Sequence, residues 1–211
     1  MKAEEKRDFD VEAAKWDSNP GRVKLANDVA DSIIRFIYLS KDMDVLDFGC
    51  GTGLVTLRLE PYVKSIAGAD SSRGMLDALE SKIAQQQLAH VTVQLVDFEK
   101  GEKVAGTYDL IVSSMTVHHV PDTAALFSMW HGLLKPGGRV CFADLDTEDG
   151  TFHSDKTGVF HFGFDRKELK KLLVSAGFRD IRDTTAANVI RETDGGVKKE
   201  FSVFLIVGDK V

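Results

Sequence analysis

Proline is scarce in this chain: four residues in 211, so few points force a break in regular structure. Cysteine is scarcer still. Two residues, Cys50 and Cys141, are too few for a disulfide framework and fit a reducing, cytoplasmic compartment. No apolar run approaches the roughly 18 residues that a membrane span needs, so no membrane partner is expected. The first ten residues are charged and carry no apolar signal core. Cations are in deficit, with 27 Lys and Arg against 33 Asp and Glu and a formal net charge of −6. Nucleic acid is bound through clustered Lys and Arg, so it too is not an expected partner. Internal repeats, low-complexity tracts and Pro/Gly/Ser-rich linkers are all missing. With 43% hydrophobic and 28% charged residues, disorder is excluded and one domain over residues 1–211 is expected, as monomer or homodimer.

What is present reads as helices alternating with strands. Residues 1–39 are expected to form a helical arm. Its first part is polar with scattered Phe9, Val11, Ala14 and Trp16. After Pro20 and Gly21, apolar residues recur at helical spacing from Val23 to Ile37, with Asn27, Asp28, Asp31 and Arg35 opposite. Strand patterns follow at 43–48, 65–69, 91–96, 108–114 and 139–145. Helices are expected from about Leu54, over 72–87 and over 123–134. Near-continuous apolar strands alternating with helices predict an α/β fold with a parallel sheet covered on both faces. The end differs. After a helix over 165–176, two β-rich runs, 181–191 and 198–207, flank Thr193-Asp194-Gly195-Gly196, a hairpin signal.

The strongest motif is Val45-Leu46-Asp47-Phe48-Gly49-Cys50-Gly51-Thr52-Gly53, an apolar strand running into a Gly-x-Gly-x-Gly turn. Glycines admit positive φ and let a ligand approach without a Cβ in the way. Free amides at a following helix start favour a polar or anionic group. The third glycine comes one residue too early for a dinucleotide fingerprint, and no Gly-Lys-Ser/Thr follows as in a P-loop. The second strand ends in Asp70, able to accept from both hydroxyls of a ribose. The third ends in Asp97-Phe98, an acid that can accept from an adenine amino group and a ring that can flank it. All three strand ends lie at the carboxyl edge of the sheet, where such folds bind ligands.

This ordered set, with the strand 109–114, Met115 and Leu134-Lys135-Pro136-Gly137-Gly138, resembles the class I S-adenosylmethionine-dependent methyltransferases, in the style of the small-molecule enzymes of ubiquinone and menaquinone biosynthesis. The resemblance spans about residues 8–208. It implies a Rossmann-like, doubly wound sheet of seven strands with the last antiparallel. It implies S-adenosyl-L-methionine as cofactor and S-adenosyl-L-homocysteine as product. By position, Gly49, Cys50, Gly51 and Gly53 would form the loop around the methionine part, with Asp47 near its amino group. Asp70, with Ser71 beside it, would hold the ribose, and Met75, Asp97 and Phe98 would address the adenine. Ser113 would line the cofactor near the sulfonium, and Trp16 and Arg22 would belong to a lid.

Met115-Thr116-Val117-His118-His119 directly follows the fourth strand, where an acceptor should meet the methyl group. His118 is a candidate base, since an imidazole titrates near neutrality. The segment 146–164 is long for a connection and is expected to be an acceptor-site loop. It crowds His153, His161, Phe152, Phe160, Phe162 and Phe164. Together with 13 Phe against 3 Tyr in the whole chain, these rings suggest an apolar small-molecule acceptor. Met115, His119, His153, His161 and Phe162 are its expected pocket residues. His118, His153 and His161 with Asp144 or Asp146 are conceivable metal ligands, but no ligand spacing supports this and no metal is expected. Neither cysteine has an obvious base, which speaks against a nucleophilic thiol. The alternatives are a non-catalytic S-adenosylmethionine-binding protein, a protein methyltransferase, and a nicotinamide-dependent reductase, against which the early third glycine speaks.

Overall fold

A computed structural model of the protein describes residues 8–193 and 196–211. The first seven residues and two members of the expected hairpin turn, Asp194 and Gly195, lie outside the described residues.

Strand formation follows the apolar runs. The strands are β1 (Asp44–Phe48), β2 (Ser65–Asp70), β3 (Val91–Leu95), β4 (Tyr108–Ser114), β5 (Leu134–Leu145), β6 (Arg179–Glu192) and β7 (Lys198–Asp209). They form one sheet in the order β3-β2-β1-β4-β5-β7-β6. The first five pair in parallel, and β7 runs antiparallel to both β5 and β6. The seven-stranded, mostly parallel α/β fold expected from the sequence is therefore the fold observed.

Side chains alternate across this sheet with period two and feed two separate cores. Val45, Leu110, Val112, Cys141, Ala143, Val203 and Leu205 point to one face. Helix α2 (Pro20–Phe36) covers that face with Leu25, Val29, Ala30 and Ile33. Leu46, Ile111, Val140, Phe142, Phe204 and Ile206 point to the other. Helices α5 (Thr123–Leu133) and α6 (Arg166–Ser175) cover it with Phe127, Trp130, Leu169 and Leu173. Helix starts obey capping chemistry. Asn19 accepts from the amides of Gly21 and Arg22, Ser72 from Met75 ahead of α4 (Arg73–Gln86), and Asp165 from Lys167 and Glu168.

One expectation needs correction. The helix expected from Leu54 shrinks to α3 (Thr56–Leu59) and a single 3-10 turn at Glu60–Tyr62. Pro61 has no amide to continue the α-helical ladder, and the chain must enter β2 four residues later. Among the described residues the expected helical arm consists of two helices, α1 (Phe9–Trp16) and α2, the second starting at Asn19 and Pro20 as the helical spacing after Pro20 and Gly21 implies.

Candidate active site

The carboxyl ends of β1, β2, β3 and β4 surround one cavity of about 360 Å³. Its first wall is the turn after β1. Gly49 (φ +70°) donates its amide to Ala69 O at 2.7 Å, and a Cβ there would sit 2.3 Å from the Thr116 side chain. Only glycine fits both the left-handed backbone and that approach. A Cβ on Gly51 would project past Met75 Sδ at 3.9 Å, so the absence of a side chain keeps a cradle open. Gly53 serves the fold instead. It does not line the cavity, and a Cβ on it would meet Leu79 of α4 at 2.3 Å.

Three carboxylates line this half of the cavity. Asp47 is buried and accepts from Thr56 Oγ1 at 2.6 Å. Burial pushes its carboxyl up to about 7; the Thr56 hydrogen bond opposes that, and the neighbouring charge of Asp70 adds to it. Asp70 accepts from the amides of Gly51 (2.8 Å) and Ser72 (2.9 Å). Burial raises its pKa too, and those amides oppose the rise. Asp97 pairs with Lys100 at 3.0 Å and stands beside Phe98, whose ring meets Phe48 edge-on at 6.5 Å. Ser71, Cys50 and Met75 also line the cavity. The donor set suits S-adenosylmethionine: a buried acid held near neutral pKa calls for a cation, and the Gly51 cradle would be filled by any Cβ.

The second half is built around His118, at the turn after β4. Its side chain is 1% exposed and that of Asp144, at the end of β5, is 0% exposed. His118 Nδ1–H donates to Asp144 Oδ1 at 2.7 Å, and its backbone amide donates to Asp144 Oδ2 at 3.2 Å. Burial alone would raise the Asp144 carboxyl. The charge and hydrogen bonds of His118, with the Leu145 amide, outweigh it and hold the carboxyl below its ordinary value. The remaining ring atom, His118 Nε2, is buried without a hydrogen-bond partner in a residue that lines the cavity.

Aromatic rings run from this point in both directions along the wall. His118 meets His119 at 4.2 Å and His153 at 4.8 Å. His153 meets Phe152 at 4.9 Å, and the Arg191 guanidinium lies 3.8 Å over the Phe152 ring. On the other side His119 meets Phe9 at 5.4 Å and Phe9 meets Trp16 at 6.0 Å, with Arg22 stacked on Trp16 at 3.8 Å. The segment 146–164 is pinned beneath: Phe160 and His161 donate their amides to His118 O, and His119 Nδ1–H donates to Gly158 O.

Helix α1 spans both halves. Asp10 accepts from Ser72 Oγ (2.5 Å) and the Gly74 amide (2.8 Å), and Asp17 accepts from Thr52 Oγ1 (2.6 Å) and Lys82 Nζ (2.5 Å). Trp16 of α1 and Arg22 of α2, stacked on it, both line the cavity.

Of the residues expected from sequence, the structure brings Trp16, Arg22, Asp47, Gly49, Cys50, Gly51, Asp70, Ser71, Met75, Asp97, Phe98, Met115, His118, His119 and His153 to one cavity. Four others stand apart. Gly53 packs on α4 instead. Ser113 faces away: it is buried and donates its hydroxyl to Phe48 O at 2.8 Å, while Ser114 lines the cavity. His161 donates Nε2–H to Val120 O at 3.0 Å. Phe162 is 42% exposed, with Lys156 Nζ 5.5 Å from its ring. Phe9, Thr52, Thr116 and Arg191 line the cavity although the sequence does not single them out as site residues. Asp144 enters the sequence reading only as a conceivable metal ligand. An acid ending the strand next to the one that leads into His118 is the signal that could have found its partnership. Among the described residues, no three His, Cys, Asp or Glu side chains converge as metal ligands, and no helix is long and apolar enough to cross a membrane.

A family model described as a methyltransferase domain matches residues 22–183. An uncharacterised methyltransferase of Schizosaccharomyces pombe is 35% identical over 156 residues, which cover 67% of this chain and 55% of that protein. A ubiquinone biosynthesis O-methyltransferase of Coxiella burnetii is 32% identical over 146 residues, 68% of this chain and 62% of the relative. The chain thus spans less than two thirds of the length of these curated relatives. The crystal structure of an S-adenosylmethionine-dependent methyltransferase from Aquifex aeolicus shares the fold, with a TM-score of 0.71 at 19% identity over 96% of this chain and 98% of that one.

Proposed function

The chain belongs to the class I S-adenosylmethionine-dependent methyltransferases, and on that premise we propose that it methylates a hydroxyl of a small, flat acceptor with His118 as base. The observation that carries this reading is the buried His118–Asp144 pair, whose Nε2 belongs to a cavity-lining residue and has no other partner.

Bound S-adenosylmethionine supplies a methyl group already activated by a sulfonium. The residues of this chain have three tasks. Asp70 would accept from the ribose, Asp97 and Phe98 would address the adenine, and Asp47 would face the amino group. The ring wall from Phe9 to Phe152 aligns the acceptor, and alignment can supply up to roughly 7–11 kcal/mol. His118 takes the hydroxyl proton at Nε2 while Asp144 holds Nδ1–H and stabilises the imidazolium that results. Such a base contributes a factor of about 10²–10⁴. Helix α1 acts as a lid, its Trp16 face closing one side.

A non-catalytic cofactor-binding protein would have the space beside His118 filled. The cavity instead continues to Phe152 and Phe160, which supports catalysis. The buried free thiols of Cys50 and Cys141 support a reducing, cytoplasmic setting. Calorimetry with S-adenosylmethionine and S-adenosylhomocysteine tests the reading, and a protein that binds neither overturns it. Transfer of labelled methyl from the cofactor to a metabolite panel then separates enzyme from sensor.

A further inference from the structure

Among the described residues, three other than glycine have positive φ: Gln87 (+56°), Met115 (+56°) and Asp180 (+48°). Gln87 closes α4, where a left-handed C-cap is ordinary. Asp180 has a short polar side chain that tolerates this conformation, and β6 shifts its register on β7 around it. Met115 has neither reason. It is a long apolar residue that directly follows β4 and lines the cavity. A bulky residue held left-handed is strained, and such strain persists only where the surroundings impose it. We propose that Met115 is a positioning residue: its left-handed backbone turns the chain back from β4 to β5 and so seats His118 on Asp144. This rests on the base assigned to His118 above and deepens it.

The turn is specified at both ends. The Met115 amide donates to Ala143 O at 2.9 Å, as a continuing strand would. Three residues later the His118 amide donates to Asp144 Oδ2 at 3.2 Å, and its ring to Asp144 Oδ1 at 2.7 Å. Ala143 and Asp144 are consecutive, and β4 and β5 run in parallel. Three residues of extended chain would carry His118 about 10 Å along β5, past Asp144. The chain must therefore double back within a few residues. The reversal falls on Met115, where φ is positive, and Val117–His119 after it is a single 3-10 turn. The same bend sets Thr116 on the cofactor loop, its hydroxyl 3.3 Å from Gly49 O. Met115 itself packs against the core beneath α2. That packing removes the other backbone states that a glycine would leave open. One strained joint thus fixes the base against its acid and both against the loop after β1.

The test is hydrogen exchange of the His118 amide, followed by NMR in Met115→Gly, Met115→Ala, Met115→Leu and Met115→Ile. The Leu46 amide in β1 is the reference for global opening, and the His118 Nδ1 proton is read in the same samples. Tolerance of the left-handed conformation and loss of packing predict different orders. If the bend seats His118, its amide exchanges slowest in Met115→Gly and fastest in Met115→Ile, whose branched Cβ fits this backbone least. The expected ratios to the reference differ by about fivefold between Gly and Ala and by about tenfold between Leu and Ile. The Nδ1 proton, held by Asp144, should be lost or broadened in Met115→Ile and kept in Met115→Leu. Met115→Gly should also melt about 2–4 °C above Met115→Ala. A side chain that only fills space gives the reverse, with Met115→Gly exchanging fastest. That order, equal exchange in all four, or an Nδ1 proton unchanged in Met115→Ile overturns the inference. Should Met115→Ile fail to fold, the order of Gly and Ala decides. A wild-type protein with no Nδ1 proton signal loses the His118 base, and this inference with it. S-adenosylhomocysteine binding by calorimetry shows separately whether the cofactor reading stands.

Discussion

Cofactor affinity is predicted to depend on pH through Asp47. The carboxyl is buried, and its pKa is lifted from 3.8 to about 7. Before the cofactor enters, the folded protein therefore holds this proton up to about neutrality. A cationic amino group beside Asp47 needs the carboxylate. At pH 6 only about one molecule in ten has it, so apparent affinity should fall about tenfold per pH unit below 7. Below pH 7 the cofactor's own amino group stays largely protonated, so the fall between pH 7 and 5.5 belongs to Asp47. Calorimetry of S-adenosylhomocysteine binding at pH 6 should show close to one proton released, read from the dependence of the enthalpy on buffer ionisation heat. The sign for stability is opposite. A raised acid favours the protonated folded state, so the Asp47 contribution to stability is full below pH 3.8 and is lost as pH climbs to about 7. The loss at pH 8 is about 4 kcal/mol. Asp47→Asn should flatten the affinity profile and raise the melting temperature of the cofactor-free protein at pH 8, but not at pH 4.5. An affinity constant within twofold from pH 6 to 7.5, with no proton released, would refute the reasoning.

Other outcomes follow from the same geometry. Asp70→Ala should weaken S-adenosylhomocysteine binding more than tenfold, because it removes the ribose acceptor and frees the Gly51 and Ser72 amides it now holds; unchanged affinity in calorimetry would remove the ribose assignment. Asp144→Asn should lower kcat by about 10²–10⁴ while leaving S-adenosylhomocysteine affinity within about twofold, and a kcat that stays near wild type would take His118 out of the chemistry. Gly49→Ala should abolish cofactor binding and lower the melting temperature, since the new methyl would overlap Thr116; a crystal structure of the variant with the turn unmoved would contradict this.

Much of the fold is legible in the sequence because its signals are local. The strand expected over 108–114 has the bounds observed, since a short apolar run between Gly106 and Met115 fits a buried strand and is too brief for a core helix. The same continuity hides the facing of Ser113 and Ser114. A strand buried on both faces has no polar alternation to say which serine looks into the cavity. The cofactor half is legible as strand-end chemistry: Asp47, Asp70 and Asp97 each end or follow a recognisable strand. The acceptor half is not. Asp144 and His118 are 26 positions apart, and Arg191 arrives from a strand whose place beside β7 is set by tertiary pairing alone. Nothing in the spacing of His161 or Phe162 distinguishes them from His153, because the loop's path is decided by its bonds to His118 O and Val120 O.

The docking of Asp10 has one more consequence. Its carboxylate serves α4 as a second cap, taking the Gly74 amide that Ser72 leaves unserved, and it comes from 64 residues away. Lifting α1 therefore strips an amide at the start of the helix that carries Met75 and directly follows Asp70. Opening the entrance and fraying the floor of the cofactor site are one local unfolding event, with one free energy. A ligand that stabilises the floor must, by reciprocity, hold the entrance shut. The amide of Gly74 is thus a reporter of both: its hydrogen exchange should slow in step with cofactor saturation, although the residue itself need touch no ligand.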